Sequence, residues 1–355
     1  MTYGLRITPD DGGKSLVLDG STRYISYLAS LSLKSGDKTR QVKAPPSGSA
    51  ALVVPRKLVS VFPTVNQPVM YYLTGWSLAA NGTFTYSVGG GDDVQRSTLD
   101  IADVDIFSVA GGAGVGGYGI RITNGADFME VNDTSYLGYV TYRATISITD
   151  RWPIPAAVLA LGSSYVVFAR WNNTDNPLFL NRDNNSIEVY SAFAATEGSK
   201  VGGTVSNVQI VIVSCGYSPA LPASGYGLVI RNAAGQITFS SKFPPVMYRG
   251  ASYNFSYWQN FDTSGGEVLS WTSPTGDVSQ PMIPLCSIGL QRGDYSRSQG
   301  GWQYRIVLYS GFKMSGNSVS VARARSAGSE AAVPMFVKAM QAACSLPCLD
   351  AADYF

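Results

Sequence analysis

The sequence contains no histidine. That removes His-based catalytic triads, His-ligated zinc sites and the usual general base at neutral pH. Charge is scarce as well. Asp, Glu, Lys and Arg supply 14% of the residues, where a typical soluble domain has about 25%. The 26 basic and 24 acidic residues leave a net charge of +2, which excludes a nucleic-acid binder that works through bulk positive charge. A disordered chain is excluded from the other side, because 45% of the residues are hydrophobic and 12% aromatic. No stretch of about 18 apolar residues occurs, so no spanning helix is expected. The cysteines are few: Cys215, Cys286, Cys344 and Cys348. The opening Met1-Thr2-Tyr3-Gly4-Leu5-Arg6 reads as a strand rather than a signal peptide. Cytoplasmic synthesis with reduced thiols is therefore expected.

Glycine is abundant instead, at 38 of 355 residues, alongside 21 tyrosines. With many Val, Ser and Thr this composition favours short strands and tight turns. It is organised by a repeat. Tyr3-Gly4-Leu5-Arg6-Ile7, Tyr118-Gly119-Ile120-Arg121-Ile122 and Tyr226-Gly227-Leu228-Val229-Ile230 open three segments alike. Each is followed by an Asn-, Asp- or Gly-rich turn, a second apolar run, and then Tyr24, Tyr136 or Tyr248. This is the pattern of a hairpin. Each segment later carries a proline beside an apolar run, at Pro55, Pro155 and Pro284. Each closes in an apolar strand, at 104–109, 208–213 and 304–309. Gly- and Pro-rich joints at 111–117 and 219–225 have linker composition. The reading is all-β, with three tandem β-sandwich-like domains of about 100–110 residues. Their bounds are 1–112, 118–218 and 226–325, followed by a short helical tail over 326–355.

Motifs for chemistry are weak. Gly114-Val115-Gly116-Gly117-Tyr118-Gly119 satisfies G-x-G-x-x-G, but a dinucleotide fingerprint must open a helix and a strand follows here. Asn181-Arg182-Asp183-Asn184-Asn185 resembles a calcium loop, yet Ser186 stands at the sixth place, where Gly is needed, and no Glu stands at the twelfth. Turn chemistry is the simpler reading. Cys344 and Cys348 have no neighbouring thiolates or imidazoles to complete a zinc site. Asp10-Asp11, Asp92-Asp93 and Asp103/Asp105 show no spacing that sets two carboxylates across a cleft. No catalytic residue, metal or cofactor is predicted.

Aromatic–amide loops are the candidate contact residues. Trp171-Asn172-Asn173 and the run from Tyr253 through Tyr257 and Trp258 set flat rings beside amides. Rings packed across strands, a protein interface and a glycan site all use this mixture. In the tail, Val333–Ala343 has a proline near its start and Met335, Ala339 and Ala342 at helical spacing. A helix this short is marginal alone. It is expected to dock, through Phe336 and Met340, either on its own chain or as an arm on a neighbour.

The third hairpin, Tyr226–Ser241, resembles a recurring opening of bacteriophage tail proteins, in which a YGLxIxNxxGxxxF-like hairpin leads a small β domain of the tail tip or fibre. The first copy is similar; the second is weaker, its turn shortened at Asn124-Gly125. The resemblance implies a non-catalytic structural component of the virion tail (tip, baseplate or central fibre). It would be synthesised in the host cytoplasm, with other tail proteins as partners. A homo-oligomer of three- or six-fold symmetry is also implied, with no nucleic acid and no membrane insertion. The alternative is a receptor-binding tail protein that touches host glycan or an outer-membrane protein.

Overall fold

A computed structural model describes residues 4–8, 15–19, 23–46, 48–62, 69–90, 99–109, 119–124, 127–132, 138–191, 200–216, 228–231, 235, 237–240, 245–260, 268–299, 302–331 and 339–355. The first segment contains β1 (Gly4–Ile7), β2 (Leu16–Asp19), β3 (Arg23–Lys34), β4 (Thr39–Gln41), β5 (Ala50–Lys57), β6 (Val59–Phe62), β7 (Val69–Leu78), β8 (Thr83–Gly90) and β9 (Asp100–Val109). The second has β10 (Gly119–Asn124), β11 (Asp127–Asn132), β12 (Tyr139–Thr149), β13 (Arg151–Pro153), the short helix α1 (Ala156–Leu159), β14 (Ser164–Arg170), β15 (Asn173–Asn181), β16 (Ser186–Val189) and β17 (Thr204–Cys215). The third has β18 (Val229–Arg231), β19 (Ile237–Ser240), β20 (Met247–Tyr248), β21 (Ser252–Phe255), β22 (Trp258–Asn260), β23 (Trp271–Thr272), β24 (Pro281–Pro284), β25 (Gly289–Gln299), β26 (Trp302–Ser315) and β27 (Ser318–Ala331). The tail adds β28 (Ala339–Gln341), β29 (Cys344–Pro347), β30 (Leu349–Asp350) and a 3-10 turn at Ala351–Asp353. The chain is all-β, with antiparallel sheets.

The three hairpins form where the repeat places them. β1 pairs with β2 (Leu5 opposite Leu18), β10 with β11 (Ile120 opposite Val131) and β18 with β19 (Ile230 opposite Phe239). Gly235 in the third turn has φ +77°, a conformation open to glycine at no steric cost. Tyr3, Tyr118, Tyr136, Tyr226 and the Gly- and Pro-rich joints lie outside the described residues.

Each closing strand is a central strand. β9 runs between β3 and β5, β17 between β12 and β14, and β26 pairs with β15, β25 and β27. A central strand with covered faces favours apolar side chains over alternation; 208–213 of β17 is apolar except at Gln209, while β9 also buries the polar Asp105 and Ser108. In the first two segments the register repeats. Val109 stands between Ile25 and Ala50, and Val213 between Val140 and Val166. Both long first strands also bulge near the same end, at Tyr27/Ala29 and Val140/Tyr142. A bulge adds local twist to its strand.

Neighbouring segments share sheets and core. β20 extends the first segment's sheet through β3, and β24 of the third joins β14 of the second. The stretches that follow the three hairpins touch in a closed cycle. Gly138 N–H donates to Ile25 O (3.2 Å), Val246 N–H to Gly138 O (2.9 Å), and Met247–Tyr248 pair with Tyr24 and Arg23. Beneath this junction lies one apolar cluster. It contains Ile25, Phe107 and Val109 of the first segment, Val140, Phe168 and Val213 of the second, and Val246 and Met282 of the third.

The tail corrects two expectations. Residues 327–331, expected in the helical tail over 326–355, are the end of β27. Ala339–Gln341 is a strand, not part of the helix that the spacing predicts; it lies between β22 and β25. Both of its neighbours are strand edges that leave N–H and C=O groups for it, and these override a weak local helix preference. Met335 to Lys338 lie outside the described residues. Of the two placements left open for the tail, residues 339–355 take the one on their own chain. β29 pairs with β21 and β30 with β24. Tyr354 is buried in the junction cluster and accepts the Met247 N–H at 3.0 Å through its hydroxyl.

Candidate functional site

The first aromatic–amide loop is a structural lock. Trp171 is 2% exposed and belongs to the main core. Its backbone N–H donates to Met314 Sδ at 3.4 Å. Asn172 Oδ1 accepts the Gly316 N–H, and Asn173 Oδ1 accepts the N–H groups of Asp175 and Asn176, which shapes the turn. Tyr253, in the second loop, is also buried, and its hydroxyl donates to Asn317 O at 2.7 Å. Both loops therefore close on the tip of the β26–β27 hairpin. Arg170 adds a third clamp there, donating to Asn317 Oδ1 at 3.0 Å. These loops fit the reading in which rings pack across strands. Met340 is likewise buried, at 1% exposure, and Phe336 lies outside the described residues.

The remaining two candidates face outward. Tyr257 is 45% exposed and Trp258 is half-buried. Tyr257 stacks on Tyr72 of β7, ring centroids 5.4 Å apart and planes at 21°. The Tyr72 hydroxyl donates to Tyr257 Oη at 3.3 Å, and the Tyr257 hydroxyl donates to Gln259 Oε1 at 2.6 Å. Loss of hydration at the stack, and then the neighbouring Tyr72 phenol, push the Tyr257 phenol up to about 12. Sequence reasoning missed Tyr72. The available signal was Gly89, its cross-strand partner on β8. A Cβ at Gly89 would come within 2.6 Å of the Tyr72 ring, so the glycine makes the room in which that ring lies.

A model of a family of unknown function, DUF6453, matches residues 4–331. The chain belongs to this family. No curated protein and no solved structure matches it.

The DUF6453 chain also buries carboxylates within hydrogen-bonded networks. Glu188 accepts Arg151 Nε (3.1 Å) and Nη2 (3.0 Å), Asn184 Nδ2 (2.8 Å), Asn181 Nδ2 (3.2 Å to each oxygen) and Tyr190 Oη (2.8 Å). Burial alone would raise its pKa. The hydrogen bonds from Asn184, Tyr190 and Asn181, with the Arg151 charge, outweigh burial and hold it below the ordinary value. The Asn181–Asn185 loop is thus turn chemistry, with Asp183 N–H on Asn181 Oδ1 and Asn185 at φ 49°. Asp105 accepts the hydroxyls of Ser30 and Ser164, the latter at 3.1 Å, and faces Arg56 Nε at 3.6 Å. Cys215, Cys286 and Cys348 are buried, and burial pushes their thiols up, Cys348 to about 12. Among the described residues no three His, Cys, Asp or Glu gather as a metal site, and no helix is long and apolar enough to cross a membrane.

Proposed function

We propose that this DUF6453 chain is a structural component of a bacteriophage tail, at the tip, baseplate or central fibre, and that it acts through subunit contacts in the virion. The observation that carries the reading is the hairpin-led opening itself. Its three copies are found as three antiparallel hairpins, each leading into shared antiparallel sheets. Its partners are other tail proteins and further copies of the chain about a three- or six-fold axis. Immunogold labelling of virions with antibody to the purified chain tests the reading. Gold on tails is expected; gold confined to heads, or none on intact and disrupted particles, overturns it. One observation favours the alternative of a receptor-contacting tail protein: the Tyr72–Tyr257 pair presents a ring face at the surface.

A further inference from the structure

The Tyr72–Tyr257 stack has a support, a fixed orientation and an open side. Its support is β8, where Gly89 leaves space for the Tyr72 ring. Its orientation is fixed by the hydroxyl relay from Tyr72 to Tyr257 to Gln259 Oε1. The loop that carries it is held by Gln341 Nε2, which donates to Ser256 O at 2.9 Å, and by β22 pairing with β28. One face of Tyr257 is covered by Tyr72, and the residue is still 45% exposed. With Gln259 Oε1 already accepting from the Tyr257 hydroxyl, the N–H donors on the same amide stand beside that contact, at the rim of the ring. Among the described residues nothing accepts from them.

We propose that Tyr257, Tyr72 and Gln259 form a binding site for a neutral carbohydrate, with a sugar ring stacked on the open face of Tyr257 and its hydroxyls taken by the Gln259 amide. This rests on the receptor-contacting alternative for its biological setting, not for its chemistry. A sugar presents an apolar C–H face rimmed by hydroxyls. That matches an aromatic face with an amide donor at its edge, an amphipathic arrangement rings favour. The three side chains carry no charge, so an acidic ligand finds no counter-ion among them. A stable protein partner covers about 800 Å² on each side, far more than two stacked rings. Fixing the rings in advance lowers the ordering cost of a small ligand.

The test is an array of neutral and acidic oligosaccharides from bacterial surface polysaccharides, probed with the intact labelled chain. Capture of a subset of neutral oligosaccharides is expected. Tyr257→Ala should lower that capture at least about tenfold, the range of a buried aromatic anchor. Gln259→Ala, which keeps both rings, should lower it about 2- to 10-fold, as loss of one hydrogen bond does. The melting temperature of each variant is measured alongside. If Tyr257→Ala proves unfolded, Gln259→Ala and Tyr257→Phe carry the test, the latter keeping the ring and losing the relay. Capture of acidic oligosaccharides alone, no capture by the parent chain, or capture untouched by the folded variants overturns the site. Such a failure leaves virion labelling unaffected, so it is told apart from failure of the tail reading.

Discussion

Glu188 and Asp105 are both shut away from solvent, at 1% and 0% exposure, yet their surroundings differ. Glu188 takes hydrogen bonds from Arg151, Asn181, Asn184 and Tyr190, all within forty residues of it. Asp105 sits at a seam. Its partners come from β3 (Ser30), β5 (Arg56) and β14 (Ser164), that is, from two segments of the repeat. Among the described residues its Oδ2 has no hydrogen bond, and Arg56 Nε faces it at 3.6 Å. A carboxylate inside one segment can be surrounded by a loop shaped for it. One at a seam must be satisfied by sheets whose spacing is set by apolar packing, and it is held less completely. A buried charge costs most when its partners are removed, and a well-bonded one has most to lose.

That contrast can be broken by experiment. Glu188→Ala leaves the buried Asn181 amide and Tyr190 hydroxyl without their carboxylate partner, and should cost about 3–5 kcal/mol in urea unfolding. A cost under about 1 kcal/mol would contradict a central role for the network. Asp105→Ala should cost less, about 1–3 kcal/mol, since fewer hydrogen bonds to the carboxylate are lost. Equal losses at the two sites would erase the distinction between loop and seam. Asp350 offers a third case. It caps the final 3-10 turn through Ala352 N–H and accepts Ser279 and Gln280 N–H groups. Asp350→Ala should cost about 1–2 kcal/mol.

A smaller effect is expected from pH. Hydrogen bonding outweighs burial at Glu188 and Asp350, and both folded pKa values lie below their ordinary ones. Their contribution is thus fully present above the unfolded values near 4 and is lost as pH falls through the depressed folded ones. The urea midpoint should be flat from pH 7 to about 5 and fall below that. Glu188→Gln should make the acid limb shallower; a limb as steep as the parent's would place the sensitivity elsewhere. The smallest effect belongs to Asp183, whose carboxylate is 74% exposed beside Arg325. Asp183→Ala should shift stability by less than about 0.5 kcal/mol.

Strands and hairpins were legible because their signals are local. Val208–Val213 is apolar at nearly every position, and Asn-, Asp- and Gly-bearing turns separate the paired runs. The tail was not legible, because Ala339 and Met340 suit either a helix or a buried strand, and the edges of β22 and β25 decide between them. Composition also could not sort the aromatic loops. Trp171, Tyr253 and Tyr257 sit in similar company, but the first two meet the β26–β27 hairpin while Tyr257 meets Tyr72, 185 residues earlier. The sharing of sheets between segments is likewise long-range: repeats mark where each unit starts, not which edge it offers to the next.

The cycle that joins the three post-hairpin stretches also sets a timetable. Tyr24 must wait for Met247, and Met247 N–H for Tyr354. Synthesis at about 5–20 residues per second puts roughly 10–45 s between the emergence of the first and third stretches. Throughout that interval the free edge of β3 is a template for any strand that reaches it. Nascent chains crowded on one message would meet each other's edges before their own partners arrive, so the yield of native protein should rise when initiation is slowed.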